Sequence, residues 1–217
     1  MAEQIKIVRL KAGTGRYYVS LSNREDPMVV SPELVHQHRL KEGIMLTAPQ
    51  VAQLEAEAEL AECDRTATRL LTLREHSVGE LKAKLNQRKF KAESIKTVIK
   101  RFSDKGLLDD AHFAQQVAQG LLERNPSGRG YLVAYLQHKL VPRSIAEETA
   151  NMLLEGHDEI DLAVKSLERR WTTLSQFDLE RARSKAYTYL SRRGISYSAA
   201  KAAFDRLWHR SAKDGSD

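Results

Sequence analysis

Leu81-Lys82-Ala83-Lys84-Leu85-Asn86-Gln87-Arg88-Lys89-Phe90-Lys91-Ala92-Glu93-Ser94-Ile95-Lys96-Thr97-Val98-Ile99 is the stretch that decides the fold. Its apolar positions Leu81, Leu85, Phe90, Ile95 and Ile99 are spaced 4, 5, 5 and 4. Steps of four keep residues on one helix face, and the steps of five break the period at a tight turn between two short helices. The pattern returns at Leu132, Leu136, Val141, Ile145 and Thr149, and again at Ala186, Leu190, Ile195, Ala199 and Ala203. Leu85, Leu136 and Leu190 are 51 and 54 residues apart. A further helix precedes each pair, marked by Leu70 and Leu71, by Phe113, Val117 and Leu121, and by Val164, Leu167 and Trp171. The expected architecture is mainly α: three tandem three-helix, helix-turn-helix-like repeats. Units of this size bury little alone, so neighbours stack and an elongated rod is expected.

Working outward, the first 46 residues read differently. Ile5 to Leu10, Tyr17 to Leu21 and Met28 to Val30 suit short strands, with turns at Gly13-Thr14-Gly15 and Asp26-Pro27. Ser31-Pro32 opens a short helix that Gly43 closes. Thr47 and Gln50 have capping-box spacing and start a long helix running to about Leu73. Glu55, Glu57, Glu59 and Glu62 are expected on its solvated side. The predicted boundaries are a β unit with one helix at 1–46, the long helix plus first repeat at 47–108, the second repeat at 109–156 and the third at 157–210. A disordered polar tail is expected at 211–217.

Composition narrows the function classes. The 217 residues carry 35 Lys and Arg against 29 Asp and Glu, a net charge of +6. No apolar run is long enough to span a bilayer and the N-terminus lacks a secretory pattern, so no membrane partner and a cytoplasmic location are expected. Cys63 is the one cysteine, which excludes an intrachain disulfide and fits a reducing compartment. Between Lys82 and Lys105 nine basic residues face Glu93 and Asp104, and between Arg181 and Arg210 eight face Asp205. Such patches suit phosphate backbones or acidic protein surfaces, although a solvated helix face is an equal alternative. The partner- or DNA-binding candidates are Lys82, Lys84, Arg88, Lys89, Lys96, Lys100 and Arg101, then Arg181, Arg183, Lys185, Arg192, Arg193 and Arg206.

Catalytic signatures are sparse. Ser127-Gly128-Arg129-Gly130 lacks the Lys-Ser/Thr pair of a phosphate loop and reads as a turn and helix start. The seven histidines are scattered, so no metal and no cofactor are expected. Ser77 and Glu80 have capping-box spacing. Gly106 ends one helix, and Asp109-Asp110 open the next, ahead of Phe113. Asp109 and Asp110 could instead serve a metal-dependent nuclease, but two carboxylates at a helix start are more often caps.

Arg74-x-x-Ser77-x-x-Glu80-Leu81-x-x-x-Leu85, followed by Gly106-Leu107-Leu108-Asp109-Asp110-x-x-Phe113-Ala114, resembles the RecX family of recombinase regulators. Gly128-x-x-x-Leu132-x-x-x-Leu136 and Leu190-Ser191-Arg192-Arg193-Gly194-Ile195 are similar to its later repeats. The resemblance covers about residues 60–210. It implies tandem three-helix repeats, no enzymatic activity, and binding in the groove of RecA filaments on DNA. Such binding restrains ATP hydrolysis, strand exchange and co-protease action in recombination, DNA repair and the SOS response. DNA contacts, single- or double-stranded, would be non-specific, and tandem repeats make a monomer reasonable. Lys139-Leu140-Val141 departs from a common Lys-Gly-Ile, and a long loop is expected from Thr172 to Asp178. The competing reading is a helix-turn-helix DNA-binding transcription regulator, resting on the two basic helix pairs.

Overall fold

The computed structural model describes residues 4–214, with side chains to Ser211. Its elements are β1 (Gln4–Gly13), β2 (Arg16–Leu21), β3 (Met28–Val30), α1 (Pro32–Gln37), β4 (Met45–Thr47), α2 (Ala48–Leu73), α3 (Val78–Gln87) and α4 (Ala92–Asp104). There follow α5 (Asp110–Arg124), α6 (Arg129–His138), α7 (Arg143–Leu154), α8 (Glu159–Glu168), α9 (Trp171–Leu174), α10 (Leu179–Ser191) and α11 (Tyr197–Asp214). The protein is mainly helical behind a small antiparallel sheet. Two compact bodies form. One comprises the chain up to Glu75 with Leu81–Leu107, and the other His76–Glu80 with everything from Leu108 on.

In the first body the sheet order is β3-β2-β1-β4. Ile5 and Ile7 face inward with Val19, Leu21, Met28 and Val30, and α2 covers them with Val51, Leu54 and Ala58. A bulge between Ile7 and Arg9 shifts the β1–β2 register and leaves Val8 57% exposed, so the strand's alternation breaks where the sequence shows consecutive apolar residues. Strand β4 was not legible in sequence. It is three residues long, runs directly into α2, and pairs with β1 through Ile5 and Leu46. Thr47 and Gln50 form the expected capping box. The acidic run on α2 is not merely solvated. Arg24 bonds Glu55 at 2.6 Å, His38 bonds Glu57 at 2.6 Å, and the Lys91 ammonium reaches Glu59 at 2.9 Å. These carboxylates tie the sheet's loops and α4 to the long helix. Helix α4 turns Ile95, Val98 and Phe102 inward, and the expected core residue Ile99 is half-buried beside them.

The repeats share one turn. Phe90, Val141 and Ile195 each donate a backbone N–H to the carbonyl five residues back, on Leu85, Leu136 and Leu190. The residue before each has a left-handed backbone: Lys89 at φ 63°, Leu140 at φ 58° and Gly194 at φ 69°. These are helix C-caps of the Schellman type. The step of five in the sequence is the signature of this reversal.

The second body shows how successive units dock. The Ser77 hydroxyl donates to the Lys139 carbonyl at 2.6 Å, and the Gly128 N–H donates to the Arg193 carbonyl at 2.8 Å. Ser77 and Gly128 each lie four residues before the first core leucine of their unit, and Lys139 and Arg193 each precede the left-handed residue of the next turn. The corresponding position in the third unit, four before Ala186, is Ala182. It sits inside α10, and its N–H is spent on the Asp178 carbonyl at 2.8 Å.

Two expectations for the third unit are corrected. Trp171 leaves the helix of Val164 and Leu167, which ends at Glu168, and opens the one-turn helix α9, which takes up the first part of the expected loop at 172–178; its ring packs edge-on to Phe204 and Trp208. Helix α11 continues through Ser211 to Asp214, where a disordered tail is expected; Trp171 Nε1 donates to Ser211 Oγ. Residues 215–217 of that tail lie outside the described residues.

Candidate partner-binding surface

The motif residues form a network of caps. Ser77 accepts from the Glu80 N–H at 3.0 Å, which fixes the start of α3. Asp109 accepts from the Ala111 and His112 N–H groups and caps α5. Asp110 turns away from its own helix and accepts the Val78 N–H at 2.9 Å, supplying the start of α3 with a second acceptor. Burial pushes its carboxyl above the ordinary aspartate value; the Val78 N–H opposes the shift and neighbouring Asp109 adds to it. Glu80 lies 3.9 Å from the Lys139 ammonium. Gly106 takes φ 67° to close α4, Phe113 is buried among α5, α6 and α7, and Leu81 is fully buried. Arg74 ends α2, its guanidinium donating to the Glu75 carbonyl. Among the described residues no group of three or more His, Cys, Asp or Glu could hold a metal ion. Cys63 is fully buried, and desolvation lifts its thiol to about 11, which keeps it out of the nucleophilic thiolate form.

The first basic cluster lies on α3, α4 and the turn between them. Lys82, Lys89 and Lys96 are exposed, with no ion pair among the described residues, and Lys84 is half-buried. Arg88 spends one N–H on the Lys84 carbonyl at 3.2 Å. Lys100 is paired to Asp104 at 2.7 Å. Arg101 is committed to Asp64 of α2, which anchors α4 rather than offering a cation outward.

The second cluster divides more sharply. Arg183 pairs with Glu180 at 2.8 Å and Arg206 with Asp161 at 2.9 Å. Arg193 is half-buried between the rings of Tyr131 and Tyr189, at 5.4 and 5.3 Å, and donates to Asn125 at 3.3 Å. It stiffens the junction between the second and third units. Arg181 and Lys185 lie over Phe177 at 5.1 and 4.9 Å, and Arg192 is exposed at the end of α10. Arg170, 4.6 Å above Tyr189, joins them although the sequence did not single it out. The adjacent Arg169-Arg170 pair is the sequence signal for it.

The model of the first three-helix domain of RecX matches residues 65–102. The regulatory protein RecX of Pelodictyon phaeoclathratiforme is 35% identical over 141 residues, covering 65% of this chain and 86% of that protein. The chain belongs to the RecX family. A RecX relative from Chromohalobacter salexigens is 31% identical, with 65% of this chain and 90% of that protein covered. The fold agrees. A crystal structure of regulatory protein RecX superposes with a TM-score of 0.66 at 20% identity, over 93% of this chain and 99% of that one. RecX from Lactobacillus salivarius gives 0.59 at 18% identity, over 69% and 96%. No helix among the described residues is long and apolar enough to cross a membrane.

Proposed function

We propose that this RecX-family chain is a non-enzymatic regulator that acts as a cytoplasmic monomer. It binds RecA nucleoprotein filaments in their helical groove and restrains ATP hydrolysis, strand exchange and co-protease activity. The observation that carries this reading is the 35% identity to a regulatory protein RecX across 86% of that relative's length. The side chains support it. Exposed cations with no carboxylate partner recur in different repeats, at Lys82, Lys89 and Lys96 and again at Lys185 and Arg192. Weak contacts linked along one chain raise avidity without any one strong site. Asp109 and Asp110, the pair a nuclease would need, serve as helix caps: Asp109 accepts from the Ala111 and His112 N–H groups and Asp110 from the Val78 N–H.

The test is RecA-catalysed ATP hydrolysis on single-stranded DNA with this protein titrated in at fixed moderate salt. Inhibition below one protein per RecA is expected. Unchanged hydrolysis with the protein in excess, together with a footprint on one particular duplex sequence, would replace this reading with the transcription regulator.

A further inference from the structure

The third unit contains a cleft of about 630 Å³ walled by α9, the segment after it and one face of α10. Arg170, Phe177, Lys185, Thr188, Tyr189 and Arg192 line it, and no carboxylate does so among the described residues. Three other cavities behave differently. The one beside Arg16 and Arg101 holds Glu33, Glu57, Glu62 and Asp64; the one beside Arg24 holds Asp26, Glu55 and Glu59; the one beside Lys165 holds Glu123 and Glu168. In each of those, positive charge is balanced from within. In the α9–α10 cleft it is not.

The cations are also held in place. Arg170 rests on the ring of Tyr189 at 4.6 Å and Lys185 on that of Phe177 at 4.9 Å, and Tyr189 is tethered by Ser166 at 3.3 Å. Aromatic faces attract cations and reduce the side-chain freedom that ligand binding would otherwise have to remove. Arg169 also borders the cleft, but its guanidinium donates to the Glu123 and Arg124 carbonyls at the end of α5, so it is a brace rather than a contact. Lys185, Thr188, Tyr189 and Arg192 follow one another along a single face of α10. From Lys185 to Arg192 the row runs about 10 Å at 1.5 Å per residue. A row of cations and a hydroxyl over aromatic rings suits a repeating phosphate better than a lone carboxylate.

We propose that the α9–α10 cleft, with Arg170, Lys185 and Arg192 as its cations, binds the phosphodiester backbone of single-stranded nucleic acid. The site deepens the regulator reading by naming the contact to the strand, and it rests on that reading only for its setting.

The experiment uses the full chain and a fluorescent oligothymidylate, with anisotropy read over a salt series. Lys185→Ala and Arg192→Ala each weaken binding about tenfold. The triple variant with Arg170→Ala lowers the slope of log affinity against log salt by about 2, since each phosphate contact on a single strand contributes about 0.7. Arg170 packs on Tyr189, so Thr188→Glu serves as a second variant that places a carboxylate in the row without removing a packed side chain; it weakens binding as much as either single variant. Lys201→Ala, an exposed cation outside the cleft, leaves binding within about twofold of the parent. The proposal is overturned if the triple variant and Thr188→Glu bind like the parent, or if Lys201→Ala weakens binding as much as Lys185→Ala. Tighter binding of duplex, or displacement of the oligonucleotide by polyglutamate at lower concentration than by unlabelled strand, also overturns it. The RecA ATPase assay separates the two readings. Cleft variants that lose the strand while the parent leaves hydrolysis untouched would end the filament reading and keep the site. A parent that inhibits, with cleft variants that bind the strand normally, would do the reverse.

Discussion

Two junctions in the second body perform the same task with different chemistry. At the first, Ser77 offers a hydroxyl to the carbonyl of Lys139, and the next residue of that turn is Leu140 in a left-handed conformation. At the second, Gly128 offers its own N–H to the carbonyl of Arg193, and the next residue is Gly194. The first is reinforced by Asp110, which reaches across to the Val78 N–H. Both also bring a glycine against the left-handed residue: a Cβ on Gly79 would lie 2.4 Å from the Leu140 carbonyl oxygen, and one on Gly128 2.1 Å from the Gly194 carbonyl oxygen. What repeats along this chain is therefore a backbone geometry, a carbonyl just before a left-handed residue meeting a donor at the next helix start. The side chains that satisfy it are free to differ.

The largest test of this comparison is steric. Gly128→Ala should cost about 3 kcal/mol or more in urea unfolding, since backbone rather than a flexible side chain blocks the new methyl. A loss below about 1 kcal/mol would mean that the close approach is not what joins the second and third units. Asp110→Ala should cost about 2 kcal/mol, because it leaves the half-buried Val78 N–H without its acceptor. Ser77→Ala should cost about 1 kcal/mol as a lost cap. If Ser77→Ala proves the more damaging of the two, the hydroxyl rather than the carboxylate dominates the first junction. Leu140→Gly runs the other way and should stabilise by about 0.5–1 kcal/mol, since glycine takes φ 58° without the Cβ penalty. That substitution makes the first junction resemble the second.

The smallest expected effect is a pH dependence. Burial raises the Asp110 carboxyl in the folded state, so between its unfolded and folded values the native chain holds more protons than the unfolded one. Stability contributed by this group is full below the unfolded value and declines as pH rises through the folded one. Asp110→Asn, whose side-chain oxygen still accepts from Val78, should flatten that decline while keeping most of the cap. An unchanged slope of stability against pH would place the titration elsewhere.

Much of this was legible in the sequence, because local rules wrote it there. Thr47 with Gln50, Ser77 with Glu80 and Asp109 ahead of an apolar helix mark helix starts that the structure contains. The break of five residues at Leu85–Phe90 and Leu190–Ile195 marks the turns. What escaped depends on partners far along the chain. Strand β4 is too short to alternate and exists because β1 has an edge to pair. The acidic face of α2 has no sequence sign of Arg24, His38 or Lys91 as its partners. Among the binding candidates, charge alone could not separate Arg101 and Arg193, which brace the fold, from Lys185 and Arg192, which face the cleft. Arg170 is set apart from its neighbour Arg169 only by the fold, which lays it over the Tyr189 ring at 4.6 Å.

The early start of α10 has a consequence for how such an array can change its length. Each docking step needs an idle donor four residues ahead of a unit's first core position, and at Ala182 that donor is already closed into a helical turn. A duplicated unit could be spliced in ahead of the third repeat, where Ser77-like and Gly128-like sockets exist. Joined after α11, it would meet a plug instead of a socket, so this lineage of helices lengthens from within.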